Sequence, residues 1–139
     1  WIFARAYDNA ITSKNEKLRR QIADAYVPYL SRKVDYWERQ SVAVVGYEVK
    51  QIFLLHANAI NADLFGDLAK MLEQRHYRFI TLEEAVKEPA YQTQRDEFTG
   101  GSGISWIHRW ALTKGKQFIL TNEPTVPEFV LKAAGVESE

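Results

Sequence analysis

Residues 51 to 65 read QIFLLHANAINADLF, and the character of the chain changes in the middle of this stretch. Residues 51–57 form a short, strongly apolar run without helical periodicity, which is typical of a buried parallel strand. The residues that follow repeat apolar side chains at the spacing of one helix face. The stretch therefore predicts a strand that carries His56 near its end and continues through a polar loop into a helix.

A second strand and a further helix are predicted downstream by the same reasoning. Residues 77–80 read YRFI, and Thr81 then opens TLEE, in which Thr81 can cap a helix and Glu84 can bond back to it. The order strand, helix, strand, helix with short connections predicts two parallel strands joined by a right-handed crossover. Residues 117–120, QFIL, are a candidate third strand.

Upstream of these strands the sequence is helical. Residues 2–12 place apolar side chains at helical spacing, and residues 17–45 predict a long helix with one buried stripe and a charged opposite face. Ser13 with Glu16 three residues later predicts a capping box at the start of the long helix. Pro28 lies inside its pattern and predicts a kink or a break just before it.

The composition narrows the classes of function. The 139 residues are 46% hydrophobic, which suffices for one compact domain with a core. Eighteen Lys and Arg balance eighteen Asp and Glu, so no long-range field attracts nucleic acid or an anionic membrane. No apolar run reaches the roughly 18 to 20 residues that span a bilayer. The absence of cysteine excludes disulfides, thiol catalysis and Cys-ligated zinc.

The predicted strands do not complete a fold by themselves. Two parallel strands leave both edges of a sheet open, and stable parallel sheets need several strands covered by helices. The chain also opens on WIFARAYD without an initiator Met. We therefore expect a piece of a larger α/β domain, or a chain whose partner supplies the missing strands.

His56 is the leading candidate for chemistry, because catalytic groups collect at the carboxyl ends of parallel strands. The alternative is a buried histidine bonded to a main-chain carbonyl, or a half-exposed residue at the start of a loop. Asn58 could orient the imidazole, although capping the loop is the commoner role. His76 follows the last turn of a helix, where an imidazole favours the helix dipole. The three histidines lack metal-ligand spacing, so no metal site is predicted within this chain.

Trp106 and Trp110 are four residues apart in ISWIHRWALTK, which predicts a short helix with both rings on one face. Such a pair can stack on a sugar ring, but at helical spacing it is more typical of a core or an interface. His108 lies between them and could pack, stack or contact solvent. The glycines within residues 100–103 mark a loop and match neither a P-loop nor a dinucleotide fingerprint.

The stretch FLLHANAINADLFGDLAKMLEQRHYRFITLEEAVKEPAYQT, followed by GISWIHRWALTKG, resembles the C-terminal part of a bacterial polysaccharide deacetylase. The resemblance covers residues 1–115 and leaves residues 116–139 as a C-terminal tail. It implies the C-terminal portion of a distorted (β/α) barrel, an α/β fold that is predominantly helical in this chain with two or three short parallel strands. It also implies a hydrolase of non-peptide carbon–nitrogen bonds, a role in carbohydrate metabolism and a secreted or periplasmic location.

The closing motif of that family is Leu-x-His, and Leu54, Leu55 and His56 match it. The resemblance implies that His56 is the general acid that protonates the leaving amine and that Leu54 lines the pocket for the acetyl methyl group. Trp1 resembles the tryptophan that ends another family motif, which implies a part in substrate binding. Family members often carry Asp after the histidine, whereas this chain has Ala57.

The resemblance implies a divalent metal, usually zinc, for the complete domain and an acetylated carbohydrate, or a related amide, as the substrate. The family's metal ligands lie in earlier motifs that nothing here matches, so this chain alone is predicted to be inactive. Its expected partner is the missing N-terminal part of the barrel or another copy of the chain. The alternative function is a non-catalytic helical interaction module, in which residues 17–45 and the Trp106 and Trp110 face dock a partner chain.

Overall fold

The computed structural model describes residues 1–101, 104–116 and 121–139, and every regular element within them is an α-helix. The helices are α1 (Ile2–Thr12), α2 (Glu16–Val45), α3 (Ala59–Gln74), α4 (Leu82–Ala85), α5 (Pro89–Thr93), α6 (Trp106–Thr113) and α7 (Glu128–Ala134). The described residues contain no strand, so the prediction of an α/β fold, a (β/α) barrel portion with parallel strands, is wrong. The strand predicted at residues 117–120 lies outside the described residues.

The two apolar runs predicted as strands have no regular secondary structure. A strand needs a neighbour whose main-chain groups pair with its own, and within the described ranges neither residues 51–57 nor residues 77–80 find one. Several of their apolar side chains are exposed to solvent, with Leu54 77% exposed and Phe79 58% exposed. Residues 51–57 lack helical periodicity and form no helix, but strand formation depends on a partner that local sequence does not specify.

The chain divides into two compact units, and helix α2 contributes to both. The first unit comprises Trp1–Arg32, Leu54–Arg78 and Pro124–Glu139. The second unit comprises Lys33–Phe53 and Phe79–Glu123.

Helix α2 begins and continues differently from the prediction. Asn15, rather than Ser13, caps it, because the Asn15 side-chain oxygen accepts from the Leu18 N–H at 3.0 Å. The Ser13 hydroxyl instead donates to the Asn9 carbonyl at 2.8 Å, at the end of α1. Helix α2 runs without interruption through Pro28, so the chain does not break there.

The core of the first unit forms where α1 packs against α3 and α7. Ile2, Ala6 and Ala10 are all buried, which confirms the inward face that their helical spacing predicted. Helix α7 lies within residues 116–139, the region predicted as a tail, and its Val130 and Ala134 are fully buried. The last helix is therefore part of this core, where burial of a valine side chain stabilises the fold by about 1.5–3 kcal/mol.

The second unit has its own core around Trp110 of α6, which is 2% exposed. The Trp110 ring lies 5.5 Å from the ring of Tyr91, measured between centroids. The other buried members of this cluster are Val44, Val49, Ala90, Ile107 and Ala111. The Lys114 ammonium donates to the Val44 carbonyl at 3.0 Å, which satisfies an acceptor in the last turn of α2 that the helix itself leaves unpaired.

Candidate functional site around His56

His56 lies in the first unit, in the segment that leads into α3. Asn58 caps that helix, because its side-chain oxygen accepts from the Asn61 N–H at 3.0 Å. The sequence favoured a cap of the loop over contact with the imidazole, and the structure places the cap on α3 instead. Ile60 in the first turn is buried in the core, so the start of α3 is fixed just beyond His56.

Asn61 holds the main chain at His56. Its side-chain nitrogen Nδ2 donates to the His56 carbonyl at 2.8 Å, and its Oδ1 accepts from the Tyr26 hydroxyl at 2.6 Å. Tyr26 belongs to α2 and is buried, and this burial raises the pKa of its phenol. The phenol therefore stays protonated at neutral pH and remains a donor. A chain of hydrogen bonds connects the core to the residue that carries the candidate imidazole.

The His56 imidazole itself is exposed. Throughout the described residues no side chain or main-chain group forms a hydrogen bond or an ion pair with its ring. Of the two alternatives to a catalytic role, the histidine buried against a main-chain carbonyl is not found, whereas an exposed residue in a loop is what the structure shows. The ring is therefore accessible to a ligand, while the main chain that carries it is held by the hydrogen bond from Asn61.

The other two predicted site residues, Leu54 and Trp1, also belong to the first unit and are exposed by 77% and 73%. Leu55, between Leu54 and His56, packs against the core of the unit. Leu54 and His56 are therefore exposed to solvent on either side of the inward-facing Leu55. Within the described residues Trp1 has no side-chain hydrogen bond or ring contact that would join it to His56.

A second polar cluster, which the sequence did not reveal, ties α1, α2 and α3 together. The Tyr7 hydroxyl donates to Asp63 Oδ2 at 2.8 Å, and Arg19 Nη1 lies 3.8 Å from the same oxygen. Burial, with the Asp63 carboxylate beside it, raises the pKa of the Tyr7 phenol. No local pattern could predict this contact, because Tyr7 and Asp63 are 56 residues apart.

The second unit contains the predicted tryptophan helix, and its two rings have different surroundings. Trp110 faces the core, whereas Trp106 is 50% exposed. The Arg109 guanidinium lies 4.7 Å from the centroid of the Trp106 ring, and its Nη2 pairs with Asp96 at 2.5 Å. The two tryptophans therefore present no shared open face on which a sugar ring could stack.

His108 packs between two aromatic side chains of α2. Its ring centroid lies 4.4 Å from that of Trp37, and its Nε2 lies 3.1 Å from the Tyr36 hydroxyl. Burial lowers the pKa of the imidazole, while Glu123 and Lys33 act on it in opposite directions. Of the open roles for this histidine, the structure supports packing.

The lowered pKa of His108 predicts a loss of stability at mildly acidic pH. Below about pH 6.5 the unfolded chain binds the proton more readily than the folded chain, so stability is full above that value and falls as the pH drops towards the folded pKa. We expect the urea midpoint to be lower at about pH 5 than at about pH 7.5, and this difference to shrink in His108→Phe.

His76→Asn is the control for this pH effect, because His76 is exposed and has a φ of 64°, which asparagine tolerates. This variant should keep the pH dependence of the original protein. An unchanged difference between the two pH values in His108→Phe would show that His108 is not the group responsible.

The donor set at His56 does not fit the divalent metal that the resemblance implies. Among the described residues no three His, Asp or Glu side chains are grouped so that they could hold a metal ion. His56 offers a single imidazole, whereas a catalytic zinc takes about three protein ligands. The chemistry available here is therefore that of one free imidazole beside an exposed leucine.

No family model, curated protein or solved structure matches the chain. The resemblance to polysaccharide deacetylases therefore depends on the quoted residues alone. None of the helices in the described ranges combines the length and the apolar character needed to cross a membrane.

Proposed function

We propose that this chain supplies the proton-donating histidine of a hydrolase that removes acetyl groups from an N- or O-acetylated polysaccharide or a related amide. The observation that carries the proposal is the open imidazole of His56 on a main chain held by Asn61. A general acid needs a proton-donating group within reach of the substrate, and a held main chain limits the positions that the ring can take. The class of reaction, deacetylation, is proposed because Leu54, Leu55 and His56 match the closing motif of polysaccharide deacetylases.

In this proposal His56 protonates the nitrogen or oxygen that leaves when its bond to the acetyl carbon breaks. Imidazole side chains exchange protons near neutral pH, which suits them to this step. Leu54 offers an apolar surface for the acetyl methyl group.

Acetate release tests the proposal. The complete protein that carries this chain, supplied with zinc, should release acetate from an N-acetylglucosamine oligomer or from an O-acetylated xylan at a rate that saturates with substrate. The expected result is release from at least one of the two. A folded, zinc-supplied protein that releases acetate from neither substrate would rule the proposal out.

A non-catalytic helical interaction module is the second candidate, and exposed apolar side chains of the second unit favour it. Phe53, Phe79 and Leu82 are exposed by 44%, 58% and 60%, and exposed apolar surface can mark a protein interface. The main-chain groups of Phe53 and Phe79 have no hydrogen-bond partner within the described part of the chain. Acetate release separates the candidates, because a docking module has no turnover.

A further inference from the structure

We infer that Asn61 is the positioning residue for His56: it fixes the main chain from which the imidazole reaches the substrate. The catalytic meaning of this inference rests on the proposed function. Asn61 lies in the first turn of α3. Its side chain also forms hydrogen bonds with the His56 carbonyl and the Tyr26 hydroxyl.

The orientation of the Asn61 amide follows from its two partners. The His56 carbonyl can only accept a hydrogen bond, so it must face the side-chain nitrogen, which lies 2.8 Å away. The Tyr26 hydroxyl then donates to the side-chain oxygen at 2.6 Å. Only one of the two amide orientations satisfies both partners, and the Tyr26 ring is anchored in the core.

Few other contacts hold the segment that carries His56. In the described ranges no second hydrogen bond reaches the main chain of His56, and Ala57 forms none. Leu55 packs on the core, but it acts one residue before the histidine. Loss of the Asn61 donor would therefore leave the imidazole on a backbone that is free to shift. A misplacement of about 1 Å can cost about 100-fold in rate.

Asn61→Asp separates this role from a structural one. Aspartate keeps the acceptor for Tyr26 but cannot donate to the His56 carbonyl, and a carboxylate near a helix N-terminus is favourable for the helix. Tyr26→Phe removes the opposite contact and leaves the His56 bond in place. Asn58→Asp is the charge-matched control, because it adds the same charge three residues earlier and keeps a good cap.

The experiment measures turnover and backbone order on the same set of variants. On the complete protein, kcat for acetate release should fall by about 10- to 100-fold in Asn61→Asp at similar KM. The kcat of Tyr26→Phe should fall less, and the kcat of Asn58→Asp should stay within about twofold of that of the original protein. The NMR order parameter of the His56 amide should drop in Asn61→Asp and, partly, in Tyr26→Phe, with the thermal midpoint nearly unchanged.

The amide order parameter decides the inference even if the proposed reaction fails. A protein that releases no acetate but loses order at His56 in Asn61→Asp refutes the deacetylase and supports the positioning role. Unchanged order at His56, or a kcat within about twofold of the original, overturns the positioning role. If Asn61→Asp does not fold, Tyr26→Phe decides in its place, with a partial loss of order as support and no loss as refutation.

Discussion

Replacement of His56 by glutamine should lower kcat for acetate release by about two to four decades, the scale of losing a general acid. Glutamine is similar in size and can hydrogen-bond, but it cannot exchange a proton near neutral pH. Because the imidazole is exposed and has no partner among the described residues, folding stability should change by no more than about 0.5 kcal/mol. Initial rates and thermal unfolding, measured on the same preparations, check both expectations.

The size of the loss should depend on the leaving group. An amine leaves poorly unless it is protonated, whereas 4-nitrophenolate leaves readily without a proton. His56→Gln should therefore lose far more activity on an N-acetylated sugar oligomer than on 4-nitrophenyl acetate. A histidine that only binds substrate would not follow the chemistry of the leaving group.

His76→Asn is the matched control for this prediction. His76 is also an exposed histidine of the first unit, but it follows the C-terminus of α3, whereas His56 precedes its N-terminus. This variant should retain full turnover. Equal losses in the two variants would indicate general damage, and full turnover in His56→Gln would remove His56 from the chemistry.

The parts of the fold that sequence predicted depend on contacts within a few residues. The spacing of Ile2, Ala6 and Ala10 marks a helix face, and α1 forms with that face buried. The capping box of Thr81 and Glu84 is present, with the two reciprocal bonds at 3.1 and 3.2 Å. Such signals are local and need no knowledge of the rest of the fold.

The failures have a common cause in contacts that are distant along the chain. Residues 51–57 and 77–80 have strand-like composition but find no strand partner in the described part of the chain. Pro28 does not break α2, where buried Tyr26, Tyr29 and Leu30 flank it. Tertiary packing thus offsets a local penalty of about 3 kcal/mol.

The candidate site also combines features that depend on adjacent residues with contacts between residues that are distant along the chain. His56 was singled out by the Leu-x-His pattern, a property of adjacent residues, and by a predicted strand end that the structure does not contain. The link from Tyr26 to Asn61 spans 35 residues and depends on how α2 packs beside α3. A sequence can therefore single out a candidate residue, whereas the contacts that this residue makes with distant parts of the chain are known only once the helices are placed.

Replacement of Trp110 by alanine should destabilise the second unit by about 3–5 kcal/mol, because it removes the largest fully buried side chain and leaves a cavity beside Tyr91. That is a large share of the roughly 5–15 kcal/mol that holds a domain together. Urea unfolding followed by far-UV circular dichroism measures the loss.

Trp106→Ala is the matched control, since it makes the same truncation on the same helix one turn earlier. Trp106 is 50% exposed, so its replacement should cost only about 0.5–1 kcal/mol, mainly through the lost contact with the Arg109 guanidinium. Comparison of the two variants thus shows which face of α6 is buried and which is exposed. Equal destabilisation would mean that both rings are covered in solution, because an alanine in place of a solvent-facing tryptophan leaves no cavity behind it.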